Sequence, residues 1–176
     1  MKVMKKHILY PDQYVENAWA VDYTALFNQG IRGIILDIDN TLVPYYVPDP
    51  DMRTVAGIRR LKESGFSLYI VSNGREERVR RFNQGLGLPY VCRAGKPGAH
   101  GFLKAQHHFR LPTEQIAVIG DQIFTDVWGG NKQGMYTILV KQVSKRDEWI
   151  TAVKRPLEKV VMLFYRRFLK KQEPAE

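Results

Sequence analysis

Residues 33–41 read GIILDIDNT, in which a run of branched apolar residues ends directly at Asp37 and Asp39. A short, continuous apolar run is typical of a strand that is buried on both faces of a parallel sheet. Side chains alternate along an extended backbone, so the two aspartates are expected on the same side. Two carboxylates this close repel each other unless a cation joins them or one of them holds a proton. Turn or helix-cap aspartates are the alternative interpretation of this pair.

Three more apolar runs end at polar or glycine-containing turns: residues 66–71 (FSLYIV), 116–119 (IAVI) and 136–140 (YTILV). Segments with helical periodicity or helix-boundary residues lie between the runs, at 51–64, 75–86, 101–109 and 124–132, and an earlier one, 22–29, lies just before the first run. Strands that alternate with helices predict a doubly wound, Rossmann-like α/β fold with a parallel sheet. Ligands of such folds bind beyond the carboxyl ends of the strands, which is where the polar clusters of this chain lie.

The chain has 176 residues, 44% of them hydrophobic, which predicts one folded domain. Three prolines in residues 44–50 leave only a short connection after the first predicted strand, with no room for a lid. The single cysteine, Cys92, favours a reducing compartment. The N-terminus lacks the apolar region of a signal peptide, and no stretch is apolar enough for a spanning helix. We therefore expect a cytoplasmic protein, or one peripheral at the inner face of the membrane.

The charge of the chain is strongly positive, with 27 basic against 18 acidic residues and a formal net charge of +9. Such an excess favours anionic partners, which include nucleic acid, an anionic membrane surface and phosphorylated substrates. Charge alone does not choose among them. An arginine-rich segment (Arg75, Arg78, Arg80 and Arg81) is interpreted as a solvated helix face, with a site for anionic headgroups as the alternative.

Further polar residues follow the other predicted strands. Residues 120–126, GDQIFTD, supply Asp121 and Asp126. Oxygen-rich clusters of carboxylates suit Mg²⁺, which also takes water and phosphate oxygens as ligands. Ser72 and Asn73 can donate hydrogen bonds to a phosphoryl group, and Lys96 offers it a positive charge. Four segments therefore predict one chemistry, in which an anionic nucleophile, a divalent cation and phosphate donors act together.

In their order and spacing, DIDNTLV, SNG, the Lys-Pro pair and GDQIFTDVWGGNKQGMYTILV resemble the motifs of the haloacid dehalogenase (HAD) superfamily of aspartyl-phosphate phosphatases. The wider pattern resembles the capless YqeG-type branch of subclass IIIA, which is similar to phosphatidylglycerophosphate phosphatases. The resemblance runs from about residue 9 to about residue 147. It implies a HAD-like fold without a substantial cap domain.

The resemblance also implies catalytic roles. Asp37 would attack phosphorus and form an aspartyl-phosphate. Asp39 would protonate the leaving oxygen and then activate water. An aspartate at this second position favours a phosphatase, since the ATPases of the superfamily carry threonine there. Ser72 and Lys96 would stabilise the transferring phosphoryl group, with Asn73 as a further phosphate donor.

The metal site implied by the resemblance holds Mg²⁺, the one cofactor predicted. Its residues are Asp37, the backbone carbonyl of Asp39, Asp121, and Asp126, which would orient either the water shell of the metal or Lys96.

The last part of the chain is predicted to be separate from the phosphatase domain, which occupies residues 1–150 with an N-terminal extension. Residues 151–176 form a basic amphipathic helix and tail, in which Val160, Val161, Phe164 and Phe168 share one helical stripe. Such a helix either lies on an anionic membrane or packs its apolar side onto its own domain.

The substrate is left open among several classes. A phospholipid such as phosphatidylglycerophosphate fits the resemblance, the positive charge and the tail helix. A phosphoprotein or a nucleotide fits the first two. A basic RNA- or ribosome-associated binder that keeps the fold is the non-enzymatic alternative. Four converging acids speak against it, so nucleic acid is not expected as a partner, and no oligomeric state is predicted.

Overall fold

Six parallel strands form one sheet in the computed structural model, which describes residues 6–144 and 149–170. The strand order across the sheet is β1-β6-β5-β2-β3-β4. The strands are β1 (Gln13–Val15), β2 (Gly33–Leu36), β3 (Ser67–Val71), β4 (Tyr90–Val91), β5 (Ile116–Gly120) and β6 (Tyr136–Val140).

Helices connect the strands and follow the last one. They are α1 (Tyr23–Asn28), α2 (Met52–Glu63), α3 (Glu76–Asn83), α4 (His100–Phe109), α5 (Trp128–Lys132) and α6 (Trp149–Lys170). A π-helical turn, Ile123–Val127, leads into α5. Two short 3₁₀ turns lie at Ala18–Ala20 and Thr113–Gln115.

Local sequence signals account for the helix ends. The carboxylate of Asp51 accepts a hydrogen bond from the backbone N–H of Thr54, and Asp22 caps α1 in the same way through Ala25. Just after α2, Gly65 has a φ of +87°, a left-handed conformation that glycine adopts without steric cost.

Both faces of the sheet are covered. Along β2, Ile34 and Leu36 pack into a cluster with residues of α1, α2 and α3, whereas Ile35 packs on the opposite face with residues of α4. This arrangement confirms the predicted doubly wound α/β fold. Within the described residues, the connection from β2 to α2 is a short loop, residues 37–51, and holds no cap domain.

The register of the central strands sets the position of the site. Leu36, the last residue of β2, lies opposite Ile70 of β3 and Ile119 of β5. The residues that follow these strands therefore emerge at the same edge of the sheet.

Two features differ from the prediction or were absent from it. The edge strands β1 and β4 have three and two residues and were not predicted, because so short a segment has no measurable alternation. The last helix begins at Trp149, two residues before the segment 151–176 that was predicted to form the helix and tail. No described helix is long and apolar enough to cross a membrane. The division of the chain near residue 150 stays a prediction.

Candidate active site

A tight turn after β2 begins the site. The backbone N–H of Asp37 still donates to Ile119 of β5, at 3.0 Å, so the strand holds this aspartate in place. Asn40 then adopts a φ of +60°, which asparagine tolerates better than most residues. The chain turns back, and the hydroxyl of Thr41 donates to Oδ2 of Asp37 at 3.2 Å.

Three buried carboxylates converge at this edge of the sheet. Asp37, Asp121 and Asp126 each offer an oxygen, and these oxygens lie within 4.8 Å of one another. The Thr41 hydroxyl also lies 3.3 Å from Oδ1 of Asp121, so it bridges the ends of β2 and β5. A set of clustered carboxylate oxygens and a neighbouring hydroxyl fits a hard divalent cation such as Mg²⁺.

The approach of Asp126 depends on Gly120, the last residue of β5. A Cβ atom at Gly120 would collide with the carboxyl carbon of Asp126, so the side chain packs directly over the glycine. Oδ2 of Asp126 accepts hydrogen bonds from the backbone N–H of Gln122 and the hydroxyl of Thr125, both at 3.2 Å. The π-helical turn and the glycine together place this acid in the cluster.

A buried lysine joins two of the acids. Nζ of Lys96 lies 2.7 Å from Oδ1 of Asp37 and 2.6 Å from Oδ1 of Asp126. The backbone of Lys96 is held by Asn73, whose Oδ1 accepts from its N–H at 2.8 Å and whose Nδ2 donates to its carbonyl at 3.2 Å. Both amide atoms of Asn73 therefore support Lys96, whereas the sequence prediction had this side chain binding phosphate directly.

The charged groups of the cluster are buried, and burial shifts their pKa values. Burial lowers the pKa of Lys96, but the negative charges of Asp126 and Asp37 outweigh it, and the net pKa is raised. Burial also raises the pKa of Asp126, to about 6, against the opposing effect of Lys96. The pKa of Asp121 is raised well above its ordinary value, mainly by burial. A divalent cation among these oxygens would offset the surplus of negative charge.

Ser72 follows β3 at the same edge and is buried. Its Oγ accepts a hydrogen bond from the backbone N–H of Gly74 at 3.0 Å. A serine hydroxyl that accepts in this way keeps its own proton to donate. The position and chemistry of Ser72 therefore suit a donor to a phosphoryl oxygen.

Asp39 lies outside the carboxylate cluster. Its Oδ1 accepts hydrogen bonds from Nη2 of Arg78 at 2.9 Å and from Nε at 3.1 Å. Nη1 of Arg78 donates to the carbonyl of Pro48 at 2.9 Å, which ties α3 to the loop after β2. Interpreting the arginine-rich segment as a solvated helix face is therefore wrong for Arg78.

The last helix also reaches the site. Arg155 of α6 contacts the carboxylate and the carbonyl oxygen of Asp121, and Glu158 accepts the backbone N–H of Ile123 at 2.7 Å. Sequence reasoning missed both residues, and no local pattern marks them, because 34 or more residues separate them from their partners. Thr41 belongs to the DIDNT motif, so the motif itself could have identified it.

The chain is similar in sequence to known phosphatases and to a hydrolase family model. Residues 93–162 match a family model described as HAD-hydrolase-like. A protein described as "Probable phosphatase YqeG" from Bacillus subtilis (strain 168) is 38% identical over 164 residues, which cover 93% of this chain and 95% of that protein. The chloroplastic phosphatidylglycerophosphate phosphatase 1 of Chlamydomonas reinhardtii is 29% identical over 73% of this chain, which spans 51% of that longer protein.

Solved structures agree on the fold. A HAD phosphatase from Thermococcus onnurineus superposes with a TM-score of 0.54 at 14% identity, over 72% of this chain and 98% of that one. An uncharacterized protein from Listeria monocytogenes serotype 4b gives a TM-score of 0.52 at 16% identity, over 66% of this chain and 85% of that one.

A doubly wound parallel sheet with clustered acids at its carboxyl edge, together with these relatives, defines a HAD-type phosphatase. Within that superfamily the chain belongs to the YqeG-type family, with which it aligns over nearly its whole length.

Proposed function

We propose that the chain is a Mg²⁺-dependent phosphomonoester hydrolase that acts through an aspartyl-phosphate on Asp37, with phosphatidylglycerophosphate or a related phospholipid as substrate. The convergence of Asp37, Asp121, Asp126 and Lys96 within one buried cluster carries the proposal.

The first step transfers the phosphoryl group. A carboxylate oxygen of Asp37 attacks phosphorus, the bond from phosphorus to the leaving oxygen breaks, and Asp39 gives its proton to that oxygen. In the second step water attacks the phosphorus of the aspartyl-phosphate and its proton returns to Asp39. The bond to Asp37 breaks, which releases inorganic phosphate and restores both residues.

Two groups of the protein hold the phosphoryl group. Lys96 supplies a positive charge beside Asp37, and Ser72 supplies a hydroxyl donor from the neighbouring strand. Asn73 acts on Lys96 and keeps its backbone in place. Mg²⁺, held by Asp37, Asp121 and the backbone carbonyl of Asp39 with support from Asp126, would neutralise charge on the phosphoryl oxygens.

A groove beside the site has room for a large leaving group. It has a volume of about 1150 Å³, lies between α6 and the loops after β1 and β6, and reaches Asp121. Basic and apolar residues line it together with the acids Glu16, Asp121 and Glu158, and the basic and apolar ones include Arg53, Lys141, Lys159, Arg166, Leu139, Val143, Met162 and Leu163. A mixed lining of this kind suits an amphiphilic anion.

The outer face of α6 favours a substrate presented at a bilayer. We define this outer face as Val153, Leu157, Val160 and Phe164, which lie on one helical stripe and are 51–68% exposed. Arg167 flanks it, with its guanidinium carbon 6.0 Å from the centre of the Phe164 ring. Apolar side chains in the headgroup boundary with basic neighbours on anionic lipid would hold the protein at the inner surface of the membrane.

This outer face differs from the predicted stripe. Val161 packs against the apolar cluster around Ile123, and the ring of Phe168 lies 5.2 Å from that of Tyr10, whereas Val160 and Phe164 are exposed. The helix is apolar around much of its circumference, so periodicity alone does not identify the buried side. Packing on the domain and contact with a membrane thus belong to different faces of one helix.

A substrate panel tests the proposal. Phosphate release is measured with Mg²⁺ on phosphatidylglycerophosphate in anionic vesicles, a nucleoside monophosphate and a phosphopeptide. We expect the phospholipid to give the highest kcat/KM. Preference for the nucleotide or the phosphopeptide would replace the lipid assignment, and no release from any phosphomonoester would refute the hydrolase.

A further inference from the structure

We propose that α6 belongs to the active site, where Arg155 and Glu158 are positioning residues for the metal ligand Asp121. The inference rests on the metal site proposed above and adds to it a requirement for the last helix.

Arg155 holds Asp121 at two points. Nη1 donates to the backbone carbonyl of Asp121 at 2.9 Å, and Nη2 contacts Oδ2 of its carboxylate. A guanidinium group is planar and rigid, so two contacts fix the main chain and the side chain of Asp121 relative to each other. The other carboxylate oxygen, Oδ1, is left facing Thr41 and the acid cluster.

Glu158 holds the next part of the same loop. Its Oε1 accepts the backbone N–H of Ile123 at 2.7 Å and lies 3.4 Å from the N–H of Phe124. These are the first N–H groups of the π-helical turn that carries Asp126, so Glu158 caps that turn from a distant helix. Its other oxygen, Oε2, accepts a hydrogen bond from Nη1 of Arg155 at 2.9 Å. The contacts of Arg155 and of Glu158 with this loop therefore form one network.

The rest of α6 anchors this network to the domain. Tyr165 is buried, and its ring lies 5.5 Å from that of Tyr10, while Val161 and Met162 pack against Ile123 and its neighbours. Glu158 itself is only 7% exposed. A carboxylate this deeply buried is held in place by its partners, since an unpaired buried charge is strongly destabilising.

The change in Mg²⁺ affinity when Arg155 is replaced distinguishes two possible roles for this residue. A positive charge next to a metal ligand also competes with the metal, so removal of a mere competitor would tighten Mg²⁺ binding. Removal of a positioning residue does the opposite, because Asp121 then loses its fixed orientation. Residues that orient metal ligands typically contribute about 10–100-fold to metal affinity.

The experiment uses the full chain and Mg²⁺ alone as the probe. The melting temperature is measured across a Mg²⁺ titration for the wild type, Arg155→Gln, Arg155→Lys and Glu158→Gln. Arg59→Gln, on the exposed face of α2, is the control with the same loss of charge. We expect Mg²⁺ affinity about 10–100-fold weaker in Arg155→Gln, a smaller loss in Arg155→Lys and Glu158→Gln, and no change in Arg59→Gln.

The outcomes separate the inference from the function on which it rests. If Mg²⁺ does not raise the melting temperature of the wild type, the metal site itself is refuted. If the wild type responds and Arg155→Gln binds Mg²⁺ as tightly or more tightly, the metal site stands and the positioning role is refuted. Should Arg155→Gln fail to fold, Arg155→Lys decides, because full Mg²⁺ affinity there would overturn the need for a planar guanidinium.

Discussion

Two hydrogen bonds from Arg78 of α3 end on a single carboxylate oxygen of Asp39, at 2.9 and 3.1 Å. The same guanidinium binds the carbonyl of Pro48, so its position is fixed by the loop after β2 as well as by α3. In the proposed mechanism Asp39 must first face the leaving oxygen and later face water. Arg78 is therefore placed to orient the residue that moves protons.

Replacement of Arg78 should slow the reaction more than it weakens binding. We expect Arg78→Ala to lower kcat by part of the roughly 10²–10⁴-fold that general acid–base catalysis contributes, with a small change in KM. Arg80→Ala, on the exposed side of the same helix, is the control and should behave like the wild type. Steady-state kinetics on a soluble phosphate ester measure both; an unchanged kcat in Arg78→Ala would remove this role.

Substitutions of the two aspartates after β2 should have different effects on turnover. Asp37→Asn should abolish turnover with the fold retained, because an amide does not form the acyl phosphate. Asp39→Asn should slow turnover by about 10²–10⁴-fold and leave Mg²⁺ binding largely intact. Phosphate release and Mg²⁺-dependent melting are measured on both variants. Persistent turnover in Asp37→Asn would point to another nucleophile.

Gly120 should tolerate no side chain. A Cβ at this position would displace Asp126 from the cluster, so we expect Gly120→Ala to lose most activity and much of its Mg²⁺ response. Gly85→Ala is the matched control, because a Cβ there meets open space. Activity and melting temperature are compared for the two variants. Equal behaviour would show that Asp126 does not depend on the glycine.

The outer face of α6 should act on lipid substrates alone. We expect Leu157→Ser combined with Val160→Ser to weaken binding to anionic vesicles and to lower activity on phospholipid. Hydrolysis of a soluble ester should change little, since neither residue contacts the acid cluster. Leu103→Ser, an exposed apolar residue of α4, is the control. Vesicle sedimentation and the two assays decide, and a parallel loss of both activities would contradict a membrane role.

Point substitutions are needed here because truncation does not separate the two roles of the helix. Removing the residues after Arg155 also removes Glu158 and its hydrogen bond to Ile123. Such a chain would lose support for the metal-site loop and would fail on soluble and lipid substrates together.

The central architecture was predictable because it depends on local patterns. Continuous apolar runs marked β2, β3, β5 and β6, and the acids after β2 and β5 marked the edge where the site forms. The residues that the sequence did not indicate are fixed by tertiary contacts. Arg78 resembles its exposed neighbours in sequence, and only the path of the loop through Pro48 distinguishes it. Likewise, the inner side of α6 is set by Glu158 and Tyr165, neither of which belongs to an apolar stripe.

The position of β2 has a consequence for how the molecule opens. This strand is hydrogen-bonded on both sides, to β3 and to β5, and the amide of Asp37 continues the pairing with Ile119. Amide protons of such a strand exchange with deuterium only when the sheet itself comes apart, whereas those of edge strands and loops exchange through small local openings. The proposed nucleophile, Asp37, therefore directly follows a strand whose amides are expected to exchange more slowly than those of the edge strands β1 and β4.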